Sequence, residues 1–301
     1  MRILNNRKIS LVVFGLTGTV VDFGGKAPAG AFCELFRRRG IDAADAEAGL
    51  PARKCKRDHI AEMLAKPSIA LQWRQRHGRD WTGDDVDALF DEFLPLQVDA
   101  LPRYDRAIPG AAEALEKLRR NGVKTAAATG YNREMTSTLV GALAPQGVVF
   151  DYVCCAADVP AGRPRPWMIH RCMEALDIFP PSRVVAVGDT LADIRSGVNA
   201  GVWTVGVTTT GAMLGMSPEQ FKRLDAEEAA FLHETAAETM REAGADMELE
   251  SVAGLPRAIE AIEHDLSQNK LPGSRHSRRR EPVLNWFLEN SAAVPASVSL
   301  R

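Results

Sequence analysis

The chain has little to staple it, anchor it in a membrane or pull it toward a charged partner. Its five cysteines (Cys33, Cys55, Cys154, Cys155, Cys172) are odd in number and form no CxxC pair. That excludes a disulfide framework and points to free thiols in a reducing compartment. No apolar run approaches membrane-spanning length, and the opening MRILNNRKIS is too polar and short for a signal peptide. The expectation is a cytoplasmic protein. A formal net charge of −2 gives no global attraction to nucleic acid or an anionic membrane. Hydrophobic content of 46% and charged content of 25% suit a soluble globular chain. At this length the chain holds one large domain or two modest ones.

What is present is an alternation. Residues 9–14 (ISLVVF) form a continuous apolar run ending in a Gly-containing turn, which reads as a strand buried on both faces. Residues 125–128, 184–187 and 203–207 read alike. Between them, Ala111, Leu115 and Leu118 space one helical face before Asn121-Gly122, and residues 193–200 form a second helix closed by Gly201. Strands alternating with helices predict an α/β fold with a doubly wound parallel sheet, whose ligands collect at the carboxyl ends of the strands.

Residues 27–101 break the alternation with helical faces alone: Phe32, Leu35, Phe36, then Val86, Leu89, Phe90, Phe93 and Leu94. They predict a helical cap inserted into a core of residues 1–26 and 102–266. It reads as an insertion packed on itself and, compatibly, as a mobile lid. Residues 267–301 are polar, with Arg275, Arg278, Arg279 and Arg280 clustered, and are expected to be a disordered, solvated tail.

Three motifs carry chemistry. In VAVGDTLAD (185–193) a buried strand ends at Gly188, and Asp189 and Asp193 follow one helical turn apart. Two hard oxygen donors at a strand tip suit Mg²⁺; the alternative is that Asp189 caps the helix. Thr129-Gly130-Tyr131 offers a hydroxyl and backbone N–H groups to a phosphoryl oxygen, or is an ordinary Thr cap. The Pro-rich loop 158–167 presents Arg163, a fixed cation suited to a phosphonate, and Arg165, which reads equally as surface charge.

Taken in order, VVFGLTGTVVDFG, KRDH at 56–59, ATGYNREM, DVPAGRPRPWM and VGDTLADIRSGVNAGVWTVGV resemble the phosphonoacetaldehyde hydrolases of the haloacid dehalogenase superfamily, over residues 9–266. The resemblance implies cleavage of phosphonoacetaldehyde to acetaldehyde and phosphate. Lys56 would form a Schiff base with the aldehyde, its amine activated by a depressed pKa, with His59 nearby. Arg53, Lys54 and Arg57 supply positive field; without the resemblance, KCKRDH reads as a solvated basic helix face. Thr129 and Arg163 match phosphoryl-binding positions, with Tyr131 beside Thr129. Asp189, Asp193 and the backbone carbonyl of Thr17 match Mg²⁺ ligands. A homodimer through the cap is also implied.

One position departs sharply. Gly15 stands where the family's aspartate attacks phosphorus, and Asp22, the next carboxylate, matches a different position. Leu16, Thr17, Gly25, Ala52 and Arg53 also differ from the family pattern. Loss of the nucleophile costs roughly 10⁴- to 10⁶-fold in rate and removes a metal ligand. The expectation is a hydrolase by descent with low or lost turnover and a weakened Mg²⁺ site. The alternatives are a non-hydrolytic Schiff-base enzyme, or a catalytically dead phosphonate-binding or regulatory homologue.

Overall fold

The computed structural model describes residues 8–43 and 56–276. Six strands form one parallel sheet: β1 (Leu11–Phe14), β2 (Lys124–Thr129), β3 (Tyr152–Cys155), β4 (Val184–Gly188), β5 (Trp203–Val207) and β6 (Met247–Leu249). Their spatial order is β3-β2-β1-β4-β5-β6, so the chain order reverses on either side of β1. Phe14 pairs with both Ala127 and Val187, which places the tips of β1, β2 and β4 side by side. A crevice at such a reversal is where ligands of open α/β sheets bind.

The doubly wound sheet follows from the composition of its strands. Leu11, Val12, Val13 and Phe14 are all buried, because helices cover both faces. Val12 and Phe14 face a cluster with Leu115, Leu139 and Ile262. These belong to helices α5 (Ala111–Arg120), α6 (Arg133–Leu143) and α11 (Leu255–Ser267). Leu11 and Val13 face the other side, with Met168 and Cys172 of α7 (Trp167–Ala175). The alternation read from the sequence does not include β3, where Cys154 lies packed in the core, or β6. Both are short strands toward the sheet edge and only partly buried, so they carry little apolar periodicity.

Residues between β1 and α5 build a separate helical insertion: α1 (Lys26–Arg38), α2 (Lys56–Leu64), α3 (Pro67–His77) and α4 (Gly83–Ala100). It has its own core, in which Phe32, Phe36, Ile60, Met63, Trp73 and Phe93 are buried. Phe32 stacks on Phe93 with centroids 4.3 Å apart. Two linkers join the insertion to the sheet and bond to each other. Asp22 N–H donates to Arg106 O (3.1 Å) and Ile108 N–H to Val20 O (2.8 Å). The Asp22 carboxylate accepts from the N–H groups of Lys26 (3.0 Å) and Ala27 (2.8 Å), fixing the start of α1.

Order in the expected tail persists to His276. Lys270 and Arg275 both pair with the buried Asp265, and Gly273 N–H donates to Asp246 (2.7 Å). Composition hid this because the acidic partners lie in the preceding domain. Arg278, Arg279 and Arg280 fall outside the described residues, as do Ala52, Arg53 and Lys54.

Candidate active site

The strand tips gather seven of the sequence candidates: Gly15, Thr17, Thr129, Tyr131, Arg163, Asp189 and Asp193. Gly15 follows β1 and its N–H donates to Val187 O (2.8 Å). Its side-chain direction is already taken: a Cβ there would lie 2.9 Å from Thr19 Oγ1. Thr19 donates to Asp189 Oδ1 (3.0 Å), while Ala212 N–H donates to Asp189 Oδ2 (2.9 Å). Burial, first, and the neighbouring Asp193 push the Asp189 carboxyl up to about 7, because an unscreened charge there has little solvent to stabilise it.

Asp193 does two jobs. It completes a capping box at the start of α8 (Leu191–Ala200), where Thr190, not Asp189, is the cap. Thr190 Oγ1 donates to Asp193 Oδ2 (2.6 Å). Its other oxygen pairs with Arg163 Nε (2.6 Å), and Arg163 Nη2 donates to Ala128 O (2.6 Å). The side chain of Asp193 also packs against Gly188 where any Cβ would collide. That contact explains the glycine. Arg165, one proline further on, is exposed.

Thr129 ends β2, buried, and its hydroxyl accepts from Tyr131 N–H (3.2 Å). The cap of α6 is instead Asn132. Tyr131 is buried too, and its hydroxyl accepts from Thr17 Oγ1 (3.1 Å). Burial raises the Tyr131 pKa, opposed by the hydrogen bond from Thr17. Gln97, which the sequence reading missed, comes from α4 of the insertion and is 1% exposed. Its one signal was a polar residue among the apolar positions at the end of that helix.

The insertion holds the remaining candidates. His59 is buried against Phe32, ring centroids 4.3 Å apart, so it belongs to the insertion's core. Lys56 opens α2, but its side chain lies outside the described residues. Arg57 is paired with Asp87, which offsets part of the positive field expected there. Gly25, a departure from the family pattern, sits at φ 59°, a left-handed conformation that a cysteine would occupy with strain.

The donor set for magnesium is one carboxylate short of the set that the resemblance implies. Gly15 contributes no side-chain oxygen, and the carboxylates of Asp189 and Asp193 are engaged by Thr19, Ala212, Thr190 and Arg163. Among the described residues no three His, Cys, Asp or Glu side chains converge. The residues present would offer Mg²⁺ two carboxylates, with water or phosphate oxygens completing its shell, but not the third carboxylate that the resemblance implies at position 15. The void touching Gly15, Arg163, Asp193 and Ser196 is about 10 Å³, roughly the room one water needs.

A parallel sheet with Thr129, Asp189, Asp193 and Arg163 gathered at its strand tips, and a helical insertion after its first strand, defines a class of protein. The family model of haloacid dehalogenase-like hydrolases matches residues 9–201. The phosphonoacetaldehyde hydrolase of Paraburkholderia phytofirmans is 35% identical over 88% of this chain and 100% of its own. A bifunctional phosphonoacetaldehyde hydrolase/aminoethylphosphonate transaminase of Clostridioides difficile is 39% identical over 88% of this chain, which spans 42% of that longer protein. Among solved structures, a phosphonoacetaldehyde hydrolase-like protein from Oleispira antarctica superposes with a TM-score of 0.82. It is 32% identical and covers 88% of this chain and 96% of its own. The chain belongs to the haloacid dehalogenase-like hydrolases and, within them, to the phosphonoacetaldehyde hydrolase family. No helix among the described residues is long and apolar enough to cross a membrane.

Proposed function

We propose that this chain binds a small aldehyde-bearing phosphonate at the strand tips but hydrolyses its C–P bond slowly or not at all. Gly15 carries the proposal: the phosphoryl-binding candidates Thr129 and Arg163 are retained beside it, yet nothing there can attack phosphorus. In the hydrolytic route, the Lys56 amine condenses with the aldehyde and releases water. The iminium then draws in the C–P bonding pair as phosphorus passes to a nucleophile. Without a carboxylate at position 15, condensation remains possible and phosphoryl transfer does not. The helical insertion acts as the cap that brings Lys56 over the crevice. A non-hydrolytic Schiff-base enzyme is the second reading, supported by the buried Thr17–Tyr131 pair (3.1 Å), which needs no phosphoryl transfer to be useful.

Phosphate release from phosphonoacetaldehyde with Mg²⁺ tests this, comparing the native protein with Gly15→Asp. The native chain should be about 10⁴-fold or more slower than an active hydrolase. Gly15→Asp should recover release if Thr19 rotates to admit the carboxylate, and should gain a Mg²⁺-dependent rise in Tm that the native chain lacks. Rapid release by the native protein would sink the proposal. If neither releases phosphate, borohydride reduction with phosphonoacetaldehyde separates the remaining readings: a tagged Lys56 supports Schiff-base chemistry, and an untagged one removes it.

A further inference from the structure

Two side chains from distant parts of the chain meet the Tyr131 hydroxyl. Thr17 donates to it from the β1 loop at 3.1 Å, and Gln97 approaches it from the last turn of α4. All of this lies inside the protein, with Tyr131 7% and Gln97 1% exposed. Gln97 Nε2 nevertheless completes no hydrogen bond among the described residues. An amide donor in this position has lost its water and gained nothing in exchange, which is costly and uncommon in folded proteins. Leucine or methionine would fill a similar volume without that cost. The donor sits at the seam between the insertion and the sheet, beside a hydroxyl two residues from Thr129.

We infer that Gln97 is a ligand-recognition residue, whose Nε2–H donates to the aldehyde oxygen of the bound molecule beside Tyr131, before condensation with Lys56 releases that oxygen as water. This rests on the phosphonate reading above and adds which group reads the non-phosphoryl end. Arg163 and Thr129 then hold the phosphonate, while Gln97 and Tyr131 tell a carbonyl-bearing phosphonate from a simple alkyl one. A site built to hydrogen-bond a polar group discriminates strongly against an analogue lacking it, because its own donor is then left unpaired. Gln97 also lies on the helix that leads from the insertion back to the sheet. The contact therefore forms only when the insertion is seated.

Calorimetry with phosphonoacetaldehyde and with methylphosphonate, on the native chain and on Gln97→Leu, tests the assignment alongside thermal unfolding. Gln97→Leu should keep or raise Tm, weaken phosphonoacetaldehyde by about tenfold or more, and leave methylphosphonate within about twofold. Unchanged affinities, or a fall in Tm with both ligands weakened alike, would make Gln97 structural and overturn the inference. If the leucine variant does not fold, Gln97→Met carries the same comparison in a more adaptable side chain. Native protein that binds neither ligand overturns the phosphonate reading and this assignment with it. Native binding of both that is unaffected at position 97 overturns this assignment alone.

Discussion

Asp22 holds the junction between sheet and insertion, and its ionisation should show in the pH dependence of stability. Burial outweighs the hydrogen bonds from Ala27 and Lys26 and pushes its carboxyl from 3.8 up to about 7. A folded-state pKa above the unfolded value means the folded chain binds the proton more tightly. The resulting stabilisation is complete below about pH 4 and is lost as pH rises through about 7. Three units at about 1.4 kcal/mol each set a ceiling of about 4 kcal/mol, and relaxation of the site should leave about half. Asp189 has the same direction, so the native slope contains both groups. Asp22→Asn removes one. Asparagine tolerates the left-handed backbone at φ 59° and keeps one of the two accepted N–H bonds. At pH 5 it should therefore be less stable than the native chain by about 1 kcal/mol. At pH 8, where the native carboxylate is ionised, it should be more stable by about 1–2 kcal/mol. Urea unfolding at both pH values, in chelator, measures the crossing. Parallel loss of stability by the two proteins between pH 5 and 8 would refute a raised Asp22.

Two further perturbations probe the site and the insertion. Arg163→Ala should cost about 1–3 kcal/mol, since Asp193 and Ala128 O each lose a charge-assisted partner. It should also lower phosphonate affinity by about tenfold or more in calorimetry, and Arg163→Lys should recover only part, a point charge being unable to hold both partners. Phe32→Ala should cost about 3–4 kcal/mol, because Phe32 is fully buried between Phe93 and His59. In hydrogen exchange the loss should appear in α1, α2 and α4 while β1 and β4 keep their protection; equal loss across the sheet would show that the insertion is not a separate cooperative unit.

Much of the sheet was legible because its strands announce themselves locally. β1, β4 and β5 are buried on both faces, so each is a largely apolar run, and a glycine or a carboxylate marks the tips of β1 and β4. The absence of a carboxylate at position 15 was equally plain, since Gly15 is a fact of the sequence. β3 and β6 were not legible, as short strands toward a sheet edge satisfy their backbones without a long apolar signature. The alternative reading of Asp189 as the cap of α8 fails by one residue: Thr190 and Asp193 satisfy each other reciprocally, which leaves Asp189 to face Thr19.

By itself the sequence determined the alternating parallel fold, the inserted helices and which residues would stand at the strand tips, because burial and turn chemistry act over a few residues. Tertiary structure alone decided what those residues touch. Thr19 reaches Asp189 across 170 residues, and Thr17 reaches Tyr131 across 114. Arg163 is drawn to Asp193, and Gln97 is brought from the insertion to the Tyr131 hydroxyl. Such pairings depend on strand order and helix packing, which bring together groups that carry no trace of each other in the local pattern.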